Sequence, residues 1–580
     1  MNELSDNARM VIFVISAVLI FGIFSHFYKP PVPPPQPHTP PAQTSTQSQS
    51  GNPSSSSQAS AANSNITSAA KIPAIEGSAE KTIVIDSGLY RVELSSRGGV
   101  VRSWTLKKYS DDQPKPKPLD LVNSATAAQT GWPFSMVLAD GTLESHANQS
   151  IYQVTVSPVP AAADSSKSTV SLDGTQFAAP VQVAFQWSDG HLAVTKKFTF
   201  QQNYEMSVET SAMLDGAPLQ ASLAWRGGFG DKAVYKAAQL VTVFYKTNGK
   251  LTLLQYKKLG VSGNQSQPAV QSGPMEFLGI EDQFFTATFI PDGSDLSLWH
   301  WTQNTNIAGD SQPEAEMAAG PSSSMSPVRM RVYVGPKDLA LLSKERPSLE
   351  ELVQFGYMSV IAKPMLFVLQ WLHRYIPNFG WAIVVFTLAL TMVLLPIRVW
   401  TFHSARKMQA VGPEVKAIQE KYKKYSMSDP RKKKMNEEVM ELYQREGINP
   451  VGSCLPMLVQ LPILWGFYRM LSGAIELRHA PWIGWIHDLS AKDPYYILPI
   501  AMAISTFLMT KLTPTPAGMD PSQQRMMMVM PLMMAVIFIN LSSGLNLYYF
   551  TSNLVGVGQQ YYLNKTQPPP SRSKFKKKKE

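Results

Sequence analysis

The residues whose types and spacing could do chemistry are polar ones set inside apolar runs. Thr387, Thr391 and Arg398 follow one another at i, i+4 and i+11 through WAIVVFTLALTMVLLPI (381 to 397) and just beyond. At about 100° per residue they fall on one stripe of a helix. Gln460 sits inside SCLPMLVQLPILWGFYRML (453 to 471). Tyr549, Ser552, Asn553, Gly556 and Gln560, with Tyr548 beside them, follow helical spacing through LNLYYFTSNLVGVGQQYYL (545 to 563). Hydroxyls, amides and a guanidinium at this depth can hydrogen-bond or hydrate a passing polar group, and such side chains usually face a bundle interior or a water-filled cavity. Together they point to a hydrated groove. Each also has a plainer reading: Thr and Ser bond back to their own helix, Asn and Gln join helices, and Arg398 snorkels from a helix end. Covalent chemistry has no comparable support. There is no Gly-rich phosphate loop, HExxH or GxSxG, and the single Cys excludes a disulfide framework and a CxxC zinc site. The reading is of a non-enzyme with no cofactor and no metal.

The elements that must position these residues follow from composition. Charged residues are 16% of the 580, against about 25% in a soluble protein, so part of the chain avoids water. Residues 10 to 27 form an 18-residue apolar run, about 27 Å as a helix and close to a hydrocarbon core of about 30 Å. No small-residue cleavage signal follows it, so segment 1–28 reads as an uncleaved anchor. Segment 29–79, rich in Pro, Ser and Gln, reads as a disordered tether. From 80 to 345 the pattern has period two. Tyr90, Val92 and Leu94 face one way, as do Leu192, Val194, Lys196, Phe198 and Phe200, while Val328, Met330, Val332 and Val334 oppose Arg329 and Arg331. This predicts a large antiparallel β domain of two packed sheets. Segment 351–377 reads as an interfacial amphipathic helix. The core, 378–563, then holds five spans, at 381–397, 453–471, 495–510, 526–541 and 545–563, and the anchor makes six.

Lys and Arg crowd two places, the 402–451 loop and the tail from 564 to 580, which ends in Lys574, Lys576, Lys577, Lys578, Lys579 and Glu580. By the positive-inside rule both are cytoplasmic, which puts both termini inside and the β domain outside, in the periplasm of a two-membrane bacterium. The loop reads as a helical hairpin, with Val415, Ile418 and Tyr422 facing Met435, Val439 and Leu442 across a turn at 426–430. The tail lysines suit anionic lipid or ribosomal RNA phosphates.

INPVGSCLPMLVQLPI (448 to 463), ELRHAPWIGWIHDLSAKDPYYILPI (476 to 500) and SSGLNLYYFTSNLVGVGQQ (542 to 560) resemble the YidC-type membrane protein insertases, with Asn449, Pro450, Cys454, Pro456, Gln460 and Pro462 placed as in that family. The resemblance implies six spans, a periplasmic β-supersandwich, a cytoplasmic hairpin and an insertion groove open to cytoplasm and lipid. Thr387, Gln460 and Tyr549 match groove positions, and Leu461 and Leu464 match the apolar substrate-contacting face, to which Met530 and Met534 of the Met-rich fifth span are added. The arginine that many members carry in the second span aligns with Thr391, and Arg398 is the candidate replacement. The implied partners are nascent membrane proteins, the Sec translocon, the ribosome and the bilayer, with no nucleotide. The rival readings are a solute transporter or channel, for which no internal repeat is seen, and a membrane-tethered periplasmic carbohydrate-binding domain, which leaves the C-terminal spans unexplained.

Overall fold

The computed structural model describes residues 72–567 apart from 114, 160–175, 232–239, 260–267, 294, 308–309, 323–326, 426–428, 449–454 and 514–520. The anchor, most of the tether and the lysine tail lie outside the described residues, as do Asn449, Pro450 and Cys454.

The strand alternation predicted from sequence is observed. Tyr90, Val92 and Leu94 are buried, and so are Leu192, Val194, Lys196, Phe198 and Phe200 along one face of Leu192–Phe200. Arg329 and Arg331 point out from Val328–Pro336 and pair with Glu209 and Glu205 on the neighbouring strand Glu205–Leu214. Among the described residues three sheets form rather than the expected two: one of ten strands and two of five. Pairing is antiparallel except between Thr82–Asp86 and Gln176–Ala178. Period-two patterning marks which face of a strand is buried, but the division into sheets depends on distant pairings such as Ser135–Val137 with Ser222–Trp225. Among the described residues short helices decorate the domain: α1 (Ser124–Thr130), α2 (Gly141–Gln149) and α3 (Leu339–Leu342).

Lys196 is fully buried inside this domain, and its Nζ donates to the carbonyls of Phe134 at 2.8 Å, Gly98 at 2.7 Å and Gly99 at 3.3 Å. Both glycines have positive φ, +72° and +56°, which turns their carbonyls together. At the base of the domain Glu281 and Lys337, both buried, pair at 3.3 Å, and Gln354 also bonds Glu281.

The chain then becomes helical: α4 (Ser359–His373), α5 (Phe379–Val393), α6 (Leu395–Ala410), α7 (Gly412–Lys421), α8 (Pro430–Arg445), α9 (Leu455–Gly473), α10 (Ile497–Leu512), α11 (Pro521–Phe538) and α12 (Ser543–Thr566). Among the described residues no single helix is long and apolar enough to cross a membrane, although α5 and α6 pass that test together across a bend of 53°. Pro364, Pro462 and Pro531 lie inside α4, α9 and α11. α4 buries Ala362, Met365, Leu366 and Leu369 and leaves Phe367, Trp371 and Val360 exposed, so it is amphipathic as expected. It lies close on α9, where a Cβ at Gly466 would stand 2.6 Å from the Ile361 side chain. α7 and α8 pack through Val415, Leu442 and Tyr443, with Met408 of α6 joining the cluster and Ile418 and Val439 at its edge.

The loop between α9 and α10 stitches the bundle. Fully buried Asp493 accepts from Trp485 Nε1 at 3.0 Å and from the Leu498 amide at 2.7 Å, while the amides of Ser543 and Gly544 bond the carbonyls of Ala491 and Leu489.

Candidate functional site

The polar residues singled out in the sequence meet along α12, whose Tyr548, Ser552, Gly556 and Gln560 are buried against its neighbours. Gln460 Nε2 on α9 donates to the Tyr548 hydroxyl at 3.1 Å, and the Tyr548 ring stacks on Phe467 with centroids 4.0 Å apart. Asn553 Nδ2 donates to Thr506 Oγ1 at 2.7 Å and Ser505 Oγ at 3.2 Å, both on α10. Tyr549 is half-buried, with its ring 5.2 Å from that of Phe538 on α11. One seam therefore receives α9, α10, α11 and α12.

The two threonines take the plainer reading. Thr387 Oγ1 donates to the Ile383 carbonyl at 2.7 Å and Thr391 Oγ1 to the Leu388 carbonyl at 2.9 Å, and both are buried. Each gives its proton to its own helix, a common use of hydroxyls in an apolar setting. Arg398 does not continue their stripe, because the bend after Val393 places it on α6. Its guanidinium instead crosses to α12, where Nη1 donates to Gln559 Oε1 at 3.2 Å. It enters where Gly556 leaves room: a Cβ there would stand 2.7 Å from Arg398 Nη1.

The seam runs on towards the end of α12 through residues that the sequence reading left in the basic loop or passed over. Arg406 Nη2 donates to Asn564 Oδ1 at 2.8 Å, Gln560 Nε2 donates to the same oxygen at 3.3 Å, and Asn564 Nδ2 donates to the Leu512 carbonyl at 2.9 Å. Arg406 follows Arg398 by little more than two helical turns, and carrying the helix past residue 397 would have exposed that spacing. Among the described residues neither arginine forms an ion pair, and Gln559 Nε2 and Arg406 Nε are buried with no hydrogen-bond partner. A buried polar group normally finds a partner, so this end of the seam has donor capacity that these neighbours do not fill.

The apolar candidates divide. Leu461 on α9 and Met530 on α11 are 49% and 43% exposed, on faces that also show Trp465, Val529 and Met533. Leu464 and Met534 are half-buried against the core. Lys574, Lys576, Lys577, Lys578 and Lys579 lie outside the described residues.

Comparison with known proteins covers both halves. The family model for the YidC periplasmic domain matches residues 82–368, and the model described as 60Kd inner membrane protein matches residues 371–570. The membrane protein insertase YidC of Cupriavidus taiwanensis is 31% identical over 489 residues, which is 83% of this chain and 82% of the relative. That of Geobacter sp. (strain M21) is 31% identical over 498 residues, 84% of this chain and 86% of the relative. Among solved structures, an active YidC insertase with its first transmembrane domain resolved is 18% identical and covers 86% of this chain and 96% of its own, with a TM-score of 0.35. A putative aldose 1-epimerase from Escherichia coli K12 covers 44% of this chain and 99% of its own at 8% identity, with a TM-score of 0.28. With relatives matched at this identity over more than four-fifths of their length, the chain belongs to the YidC family of membrane protein insertases, with a helical inner-membrane core and a large periplasmic β domain.

Proposed function

We propose that this chain catalyses insertion of membrane proteins by lowering the barrier for the short polar flank of a client, without covalent chemistry or nucleotide. Apolar residues gain a few tenths of a kcal/mol each on entering lipid, whereas a charged residue at mid-bilayer costs about 2.5 to 3.5 kcal/mol. The client's apolar segment supplies the drive. The protein's part is to offer hydrogen bonds and water along a shortened hydrocarbon path. The observation that supports this reading is that, among the described residues, Arg398 and Arg406 form no ion pair and donate only to neutral amides, beside the buried and unpartnered Gln559 Nε2 and Arg406 Nε.

In this reading the polar flank enters beside Arg398, Gln460, Tyr548, Tyr549, Ser552 and Asn553, and the apolar segment leaves along Leu461, Leu464, Met530 and Met534. Thr387 and Thr391, buried and bonded to their own helix, stand behind that surface. Five core spans and the N-terminal anchor cross the inner membrane, α5 with α6 as a broken span and α4 in the interface. α7 and α8 form the cytoplasmic hairpin, and with the lysine tail they face the ribosome or anionic lipid. Nascent membrane proteins are the clients, and the Sec translocon is a second partner.

Photo-crosslinking to a stalled nascent membrane protein tests it. Probes at 391, 398, 461 and 530 are expected to label the client, while Ile500 and Ile504, exposed on α10, serve as lipid-facing controls. Equal labelling at all positions would rule the groove out.

A further inference from the structure

The loop between α9 and α10 meets the turn after strand Val100–Ser110 outside every candidate span. There His479 Nε2 lies 2.6 Å from Asp112 Oδ1 and 4.0 Å from Asp488 Oδ2, and one ligand atom from each of the three residues falls within 4.8 Å of the others. The two segments are hundreds of residues apart in the chain, and no sequence motif joins them.

Each member is held in place by something else. His479 sits at φ +57°, a left-handed backbone that is unfavourable for a residue with a Cβ. Its Nδ1 is 2.9 Å from Ser110 Oγ, the contact that an outer-shell partner makes to orient a metal-binding imidazole. As the cluster stands, Nε2–H donates to the Asp112 carboxylate, which can only accept; a bound cation would displace that proton and leave the Nδ1 proton for the Ser110 hydroxyl. Asp488 Oδ1 accepts from the Ser490 amide and hydroxyl, both at 2.7 Å, which leaves Oδ2 facing His479. Arg478 steadies the third member, donating to Asp112 Oδ1 at 3.1 Å, Asp231 Oδ2 at 2.6 Å and the Ser110 carbonyl at 2.7 Å. A cavity of about 290 Å³, walled by Ser110, Glu476, Arg478 and His479 among others, opens beside the cluster.

We propose that Asp112, His479 and Asp488 form a three-ligand site for a late divalent transition metal such as Zn²⁺, with the fourth position open to water, and that the ion ties the β domain to the loop between α9 and α10. One imidazole with two carboxylates suits such an ion better than Mg²⁺ or Ca²⁺, which take oxygen ligands. Tetrahedral zinc with bonds of about 2.0 to 2.1 Å sets its ligand atoms about 3.3 Å apart. The 2.6 Å pair must therefore open and the 4.0 Å pair close, each by less than about 1 Å. This departs from the sequence reading of no metal, and it stands independently of the insertion reading.

The test is Zn²⁺ titration by calorimetry of the full-length chain in detergent after chelator treatment. The expected result is one tight equivalent per chain and a raised thermal midpoint, unaffected by excess Mg²⁺ or Ca²⁺. His479→Ala abolishes both, and Ser110→Ala, which removes no ligand, weakens binding by about ten- to a hundredfold. Asp488→Asn also disturbs the loop turn, so Ser110→Ala is the variant that keeps the comparison clean. No binding at micromolar Zn²⁺, or tight binding indifferent to both His479→Ala and Ser110→Ala, would overturn the assignment.

Discussion

The β domain and the helical core treat buried polarity in opposite ways. In the β domain the deep charges meet a set of carbonyls or an opposite charge: Lys196 three carbonyls, Glu281 Lys337, and Arg226 Glu144 at 2.8 Å, although Arg226 Nε itself is buried without a partner. In the core Arg398 and Arg406 form no ion pair among the described residues: their hydrogen bonds go to neutral amides, and Arg406 also lies over the Phe402 ring at 5.0 Å. A polar group satisfied inside its own domain is bound into stability and has little left for a visitor. One left short of partners holds capacity for something that comes and goes. On the insertion proposal, that difference gives stability to one region and transit to the other.

The largest effect expected from breaking this contrast is on stability alone. Lys196→Met strips the carbonyls of Gly98, Gly99 and Phe134 of their donor, and an unsatisfied buried acceptor costs about 1 to 3 kcal/mol. Losing the buried ammonium offsets part of that, so the β domain should lose about 2 to 4 kcal/mol in denaturant unfolding, while insertion by the still-folded protein stays within about twofold.

Next comes a pH dependence. Burial pushes the Glu281 carboxyl up to about 7, with Lys337 opposing the shift. Between its ordinary value of 4.5 and about 7 the unfolded chain has released this proton and the folded domain still holds it. The unfolded state therefore binds fewer protons, and stability falls as pH rises through that window, by at most about 1.4 kcal/mol per pH unit. Unfolding measured from pH 4.5 to 7 should show this slope in the parent and lose it in Glu281→Gln. An unchanged slope would mean that the pair is ionised throughout.

On the core side Arg398→Ala should lower insertion of clients with acidic flanks by about tenfold, the size of one lost charge-assisted hydrogen bond. Clients with neutral flanks should change little, and Arg398→Lys should recover part of the loss. If every client inserts as before, the charge is not required and the seam works by hydration alone.

Legibility in the sequence follows the same division. The inward face of Leu192–Phe200 could be read correctly, Lys196 included, because alternation reports burial whatever the residue type. The helices of the core and the amphipathic α4 were legible from apolar periodicity, and the polar stripe of α12 from its spacing. The break between α5 and α6 was missed although Pro396 signals it: a proline inside a helical run ends or kinks it and is favoured in the first turn of the next helix, and one span was carried through to residue 397. That break took Arg398 off the threonine stripe. Asp493 as the anchor of the loop between α9 and α10, and the meeting of Asp112 with His479 and Asp488, depend on tertiary contacts for which one chain offers no periodic signal.

The smallest predicted effect probes how Arg398 is seated. At Gly556→Ala the new methyl would crowd the far end of the Arg398 side chain and touch Met509 at an ordinary 3.4 Å, both flexible side chains. The cost to folding should therefore be below about 1 kcal/mol, as a helical Gly→Ala change itself gains a comparable amount. The guanidinium must swing away from α12 and release Gln559 Oε1. If position matters as well as charge, Gly556→Ala should reduce insertion of acidic-flank clients two- to threefold with unchanged thermal stability, and the double variant with Arg398→Ala should be no worse than Arg398→Ala alone. Additive losses in the double variant would mean that Gly556 serves close helix packing instead of seating the arginine, and the seam would then have to draw its charge from Arg406.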